Sequence, residues 1–416
     1  MRRTAMILAM AAALGTPAAA APKTVAKDAK VWAAAEKAQP AQLKLLEEVV
    51  NIDSGTGDVE GGRKVAAVFK PRLEALGMTV EMVPAEAPNL PENLVATLKG
   101  AGKGRILLVA HLDTVFEPGT AAKRPFKIAG DRLTGPGVGD EKGGVVQGIY
   151  ALQILKDLGF KDFGQITFLI ETSEERGSPG TRKLIDRLLK DADVELNLEP
   201  GDPPDVLTVW RKGSNSFYID VKGRPAHAGV APQEGRNAAL ELIHQLDTLK
   251  QFPTSGEGLT ANLTLMSAGA RYNIIPEDAS AAINVRVRDK ADIEKVAHAL
   301  ETSAKTTVIP DTKVTIRREA SFPPLPNNPG TDALADRAEA IYAGLGMKIS
   351  RGGNGGASES ALAYEAGVAA LDGLGPVGGK FHSEEEYVEL KSVTPRLYLL
   401  TKLIMELGRN PPARAK

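Results

Sequence analysis

Residues 106–110, Ile-Leu-Leu-Val-Ala, form a run without a polar side chain that leads directly into His111-Leu112-Asp113. A half-exposed strand would alternate apolar and polar residues, so this run reads as a strand buried on both faces. Such a strand needs a layer of structure above and below it, which constrains the chain to a layered α/β domain.

The neighbouring segments supply those layers. Helical spacing predicts helices over residues 30–50, 62–76, 143–158 and 180–190, and strand-like runs fall at 78–83, 93–99, 165–170 and 194–198. Their alternation implies a largely parallel sheet. Near Leu207 the pattern changes. Strands over 216–221, 259–266 and 280–288, with helices over 237–250 and 293–302, make an α+β unit of about a hundred residues, an ordinary domain size. Ser321-Phe322-Pro323-Pro324-Leu325-Pro326 reads as the return linker, and a helix over 331–345 rejoins the first domain.

Composition narrows the chemistry. A formal net charge of -1 over 416 residues argues against a nucleic-acid groove or adhesion to an anionic membrane. The absence of cysteine excludes disulfides and leaves imidazole and carboxylate as metal donors, a set that suits zinc as well as cobalt or manganese. At the N-terminus, Arg2 and Arg3 precede an apolar run over 5–14 and the small residues from Thr16 to Ala21. This order reads as a signal peptide over residues 1–21, with an apolar run shorter than the roughly 20 residues of a membrane span. The mature chain is expected to be exported, periplasmic or secreted, with no membrane span after cleavage.

The acids and histidines fall at telling places. His111 and Asp113 follow the run 106–110, Glu174 and Glu175 follow 165–170, and Glu199 follows 194–198. These are carboxyl ends of strands, where open α/β sheets bind ligands. Asp140 sits in Gly135-Pro136-Gly137-Val138-Gly139-Asp140-Glu141-Lys142-Gly143-Gly144, just before a helix. Singly, each signal is weak: a strand-end histidine is usually structural, a Glu-Glu pair is usually a solvated loop, and a Gly-rich loop serves a phosphate equally well. Together, five acids and one of only five histidines converge on one rim, and divalent cations resolve their repulsion. Residues two apart in an extended segment face the same side, so Asp113 lies alongside His111 as the acceptor for its second ring nitrogen.

Seven ordered segments now carry a resemblance: His111 to Val115, Gly135 to Gly144, Glu171 to Ser178, Leu198-Glu199-Pro200, Gly223 to Gly229, Arg271 to Pro276, and Phe381-His382-Ser383. They resemble the motifs of the di-zinc aminoacylase and carboxypeptidase family of metallopeptidases, its glutamate carboxypeptidases above all. The resemblance implies a zinc-dependent exopeptidase domain (residues 22–211 and 324–416) interrupted by a smaller ferredoxin-like lid and dimerisation domain (212–323). It implies two Zn2+ per subunit, with His111 and Glu199 on one, Glu175 and His382 on the other, and Asp140 bridging both. Glu174 would be the general base and Asp113 the partner of His111. In a homodimer His227 would reach the neighbouring active site, the plainer reading being a turn residue between strands. Asn273 and Arg286 would hold the substrate's terminal carboxylate, a task suited to the planar fork of Arg286.

The expected function is a metallocarboxypeptidase that releases a C-terminal amino acid, glutamate or a neutral residue, from a peptide or N-acyl amino acid. A deacylase acting on small N-acyl amino acids is the alternative. A third reading, an inactive protein that holds peptides in a metal cleft, sits poorly with the general base Glu174. Binding a glutamate side chain needs a basic partner, since an unpaired buried charge is costly. Where members that release glutamate keep such residues, this chain has Val206 and Glu319, with Arg211, Lys212, Arg317 and Arg318 close by.

Overall fold

A computed structural model describes residues 25–414; the signal-peptide reading of residues 1–21 lies outside the described residues. The strand Arg105–His111 lies inside a six-stranded sheet. Across that sheet run Thr79–Val83, Asn93–Lys99, Gln165–Glu171, Arg105–His111, Val194–Asn197 and Ala369–Leu371. Ile106, Leu108 and Ala110 enter one apolar core, with the helices Ala29–Val50, Lys142–Asp157 and Leu390–Arg409. Leu107 and Val109 enter another, with Leu184, Ile185 and Leu189 of the helix Arg182–Asp191. Each residue of the run is therefore covered, and the strand is buried on both faces.

The sheet is largely parallel, as expected, with one reversed strand among its six. Pairings from Gln165–Glu171 across to Ala369–Leu371 are parallel, whereas Asn93–Lys99 runs antiparallel to both its neighbours. A parallel connection takes a dozen or more residues. The links 84–92 and 100–104 are too short for one, so the chain turns back at each.

Between Gly213 and Ala320 the chain builds the second layer system, an antiparallel sheet in the order Thr260–Ala268, Asp278–Val287, Gly213–Lys222, Lys313–Ala320. Alternation decides its two faces. Phe217, Ile219, Val221, Ile283, Val285 and Val287 pack with Leu242 and Val296 of the helices Ala238–Leu246 and Ala291–Ser303. The intervening Ser214, Ser216, Tyr218, Asn284 and Arg286 line a cavity shared with the first domain.

Two of the longer elements escape the periodicity argument. Lys313, Arg317, Arg318 and Glu319 dilute the apolar alternation of the edge strand Lys313–Ala320, as charges on edge strands commonly do. In the helix Leu390–Arg409 every residue from Ser392 to Met405 is buried, so there is no polar face to set a helical period. A smaller difference concerns the helix expected over 62–76, which spans Val59–Ala75 because the Asp58 carboxylate caps it by accepting from Gly61 N at 2.9 Å. Among the described residues no helix is long and apolar enough to cross a membrane.

Leu108 is fully buried in the strand that ends at His111. Leu108→Ala is expected to cost about 2–5 kcal/mol, read as a lower urea midpoint with an unchanged denaturant slope.

Candidate metal centre

The strands Gln165–Glu171, Arg105–His111 and Val194–Asn197 are adjacent and parallel, so their carboxyl ends open on one rim. His111 is the last residue of its strand, opposite Glu171. Its Nδ1 lies 2.9 Å from the main-chain oxygen of Asp113 and 3.4 Å from that residue's Oδ1. The nearer acceptor for the ring is thus the carbonyl. The Asp113 carboxylate also serves the next turn, accepting from Glu174 N at 3.2 Å, from Glu175 N at 3.3 Å and from Thr56 Oγ1 at 2.6 Å.

On the other side of the ring, His111 Nε2 lies 3.1 Å from Asp140 Oδ1 and 3.4 Å from Glu199 Oε1. The second oxygen of Asp140 lies 3.2 Å from His382 Nε2, which is also 3.1 Å from Glu175 Oε2. Two trios result, His111–Asp140–Glu199 and Asp140–Glu175–His382, each with its donor atoms within 4.8 Å of one another. Asp140 belongs to both.

Two residues to which the motifs assign no role hold this arrangement. Glu386 accepts from Gly137 N and Gly139 N, both at 2.9 Å, and from Asp140 N at 3.1 Å, so it folds the glycine loop around its own carboxylate. Glu141 accepts from His111 N at 3.0 Å. The available signals were the acid run Glu384-Glu385-Glu386 after His382 and the acid next to Asp140. His382 itself sits at φ 62, in the left-handed region that few residues other than glycine occupy.

Crowding shows in the proton equilibria. Burial disfavours the His111 cation, yet Asp113, Asp140 and Glu199 around it hold its pKa well above the ordinary value. Burial also pushes Glu175 up to about 7, with Asp140 adding to the effect. Glu174 is raised by burial first, then by Glu359, Glu199 and Glu175. His382 is pushed up to about 10 by its contacts with Asp140 and Glu175.

The donor set fits two divalent ions. Each trio offers three nitrogen or oxygen ligands and leaves a coordination position open, the pattern of a catalytic rather than a structural zinc site. Glu175 Oε1 is buried without a hydrogen-bond partner, a costly state that a cation relieves.

Both trios meet a cavity of 660 Å³ that Glu174 and Arg286 also line. Arg286 Nε donates to Asn284 Oδ1 at 2.9 Å and Nη1 to Gly355 O at 3.4 Å. Glu319 is on the wall and accepts from Tyr218 Oη at 3.1 Å; Val206 is not on it. His227 and Asn273 also lie outside the cavity, on two neighbouring exposed turns of the second domain. There His227 Nδ1 accepts from Gly229 N and Val230 N, each at 3.2 Å, and Asn273 O accepts from Ala228 N at 3.0 Å.

Peptidase family M20/M25/M40 matches the chain over residues 107–406. Carboxypeptidase G2 of Pseudomonas sp. (strain RS-16) is 34% identical over 411 residues, 98% of each chain. An M20 family metallo-carboxypeptidase of Sulfolobus solfataricus is similar in structure with a TM-score of 0.71 at 18% identity, covering 88% of this chain and 99% of its own. A dinuclear metal-binding M20 peptidase of Bacillus subtilis has a TM-score of 0.63 at 16% identity, covering 90% of this chain and 99% of its own.

With a pKa of about 10, His382 is protonated at pH 7 in the metal-free protein, whereas ligation needs the neutral ring. Zinc binding is therefore expected to release protons, and apparent affinity should rise with pH until His382 is neutral. Calorimetry at pH 7 in buffers of different ionisation enthalpy checks this; a heat independent of buffer contradicts it. By linkage, the His382 contacts stabilise the metal-free fold fully below the free value of 6.5 and cease to do so as pH rises through about 10.

Proposed function

The chain belongs to Peptidase family M20/M25/M40 and is a metallo-exopeptidase, and from that premise we propose that it uses two zinc ions to release the C-terminal residue of small peptides or N-acyl amino acids. The observation that supports this most directly is that two ligand trios sharing Asp140 open into one cavity with Glu174 and Arg286.

Held by the trios, divalent ions would polarise the scissile carbonyl and lower the pKa of a water molecule. The chain's own groups do the rest. Glu174 takes the proton of the attacking water and passes it to the departing amine. Asp113 fixes the position of that base through the Glu174 and Glu175 amides. Arg286 grips the terminal carboxylate with its two-pronged guanidinium, which limits cleavage to the end of a chain.

The contacts of the cations close to Val206 and Glu319 support a neutral released residue over glutamate, whose side chain would have to use Arg176, also on the cavity wall. Arg211 is engaged by Asp372 and Glu199, Arg317 stacks on Tyr218 at 3.9 Å, and Glu319 adds a negative charge to the wall. A deacylase reading uses the same ions and base, and differs in recognising the acyl side.

The assembly proposed is a homodimer through the second domain. Thr260–Ala268 is a free sheet edge that exposes Leu263, Leu265 and Met266, and the helix Ala238–Leu246 exposes Leu240 and Ile243. A second copy would cover both, and His227 would then serve the second copy's cavity. The signal-peptide pattern supports export to the periplasm or beyond.

Glu174→Gln is expected to lower kcat by about 10²–10⁴-fold while two metals per chain are retained; unchanged turnover refutes the assignment of the base. Rates on N-acylated alanine, phenylalanine and glutamate should favour the first two, and an enzyme that follows the acyl group and ignores the amino acid is a deacylase. Leu265→Glu should convert the dimer to a monomer in sedimentation velocity, and a variant that stays dimeric places the interface elsewhere.

A further inference from the structure

Arg211 ends the strand Val206–Arg211, is only 4% exposed, and stands in the cavity wall without a part in the steps above. Its guanidinium is committed on three sides. Nε and Nη2 grip Asp372 at 2.6 and 2.9 Å. Nη2 also donates to Glu199 Oε2 at 3.2 Å, and Nη1 donates to Asn354 Oδ1 at 3.3 Å. The carboxylate of Glu199 is thereby divided: Oε1 faces His111 Nε2 at 3.4 Å, and Oε2 belongs to Arg211.

The contact with Asn354 extends the chain of hydrogen bonds. Ser350–Asn354 pairs in parallel with Val206–Arg211 and sets Asn354 opposite Arg211. Asn354 Oδ1 accepts from Gly356 N at 2.9 Å, and its Nδ2 donates to Asp202 Oδ2 at 2.9 Å. Next along the loop, Gly355 O accepts from Arg286 Nη1 at 3.4 Å. One buried cation thus joins a carboxylate of the metal centre to the loop 354–357, and through it to the arginine of the second domain.

We propose that Arg211 is a positioning residue with two tasks: it restricts Glu199 to one coordinating oxygen, and it sets the loop 354–357 so that Arg286 meets the substrate's carboxylate. The second task rests on the carboxypeptidase reading; the first needs only the metal centre. Withholding Oε2 keeps a coordination position free for water and substrate. Charge balance explains why the guanidinium persists there, since a buried cation survives only when paired and hydrogen-bonded. Asp372 is fully buried and is itself fixed by Ser358 Oγ at 2.5 Å. Lysine, a point charge with no planar fork, cannot meet all three partners at once.

The test uses the mature full-length protein and the variants Arg211→Lys, Arg211→Met/Asp372→Asn and Asn354→Ala. The double variant removes both buried charges, so that an unpaired Asp372 does not unfold the protein. Zinc affinity of the metal-free protein is measured by competition with a chromophoric chelator, alongside the metal-free Tm, and KM and kcat are measured on an N-acyl amino acid. Both Arg211 variants are expected to weaken one of the two zinc steps by about 10–100-fold, the usual effect of losing a ligand's hydrogen-bond partner, and to raise KM by more than kcat falls. Asn354→Ala should raise KM and leave both zinc steps alone. Unchanged zinc steps in a folded Arg211 variant overturn the first task, and so does an equal loss at both steps with a collapsed Tm. An unchanged KM in Asn354→Ala overturns the second. A wild-type protein that binds two zinc ions but cleaves no acyl amino acid refutes the carboxypeptidase reading and the second task together, while the zinc measurements still decide the first.

Discussion

Asp140 lies between two imidazoles, 3.1 Å from His111 and 3.2 Å from His382, and the surrounding structure is arranged to keep it there. Its own main chain is bound by Glu386, which also gathers Gly137 and Gly139. The sheet supplies the remaining groups. Three adjacent parallel strands end together and deliver His111, the Glu174–Glu175 turn and Glu199 to one rim, and two apolar cores immobilise those strands from either face. A cluster of acids so far out of water is costly unless each oxygen has a partner. Here the partners are backbone amides, imidazoles and Arg211, with positions left over for ions.

The second domain contributes by the same alternation that builds its core. Phe217, Ile219 and Val221 of Gly213–Lys222 pack on helices, whereas Ser214, Ser216 and Tyr218 face the cavity. A one-residue slip in register would bury Ser214, Ser216 and Tyr218 and expose Phe217 and Ile219 to the cavity. Apolar burial therefore fixes which side chains can meet a substrate. Arg286 reaches the cavity for that reason, and its contact with Gly355 O is a polar tie between the two domains.

What the chain reveals before folding is carried by short, wholly apolar runs and by one-sided alternation. The run 106–110 announces a doubly covered strand, and the position of His111, Glu174, Glu175 and Glu199 just past strand ends announces a common rim. Asp140 was readable only through its glycine loop. Where both faces are buried, as in Leu390–Arg409, or charges interrupt the pattern, as in Lys313–Ala320, periodicity carries too little information to identify the element. Glu386 and Glu141 show a different limit. Each acts by accepting main-chain N–H groups of distant residues, and a carboxylate used that way looks in sequence like any exposed acid. His227 and Asn273 mark a third limit, because their spacing does not tell that the fold sets them on exposed turns outside the cavity.

The two trios are unequal, and the inequality follows from their outer contacts. His111 is buried, its ring is tied to Asp113, and Glu199 has one oxygen withheld by Arg211. That site has few ways to rearrange. In the other trio the His382 side chain is 55% exposed and Glu175 keeps a buried oxygen with no partner. An ion at the first site would find its ligands already set, whereas one at the second would gain a further oxygen and exchange through a half-open imidazole. The first set of ligands is therefore the more rigid of the two, and the second the more adaptable.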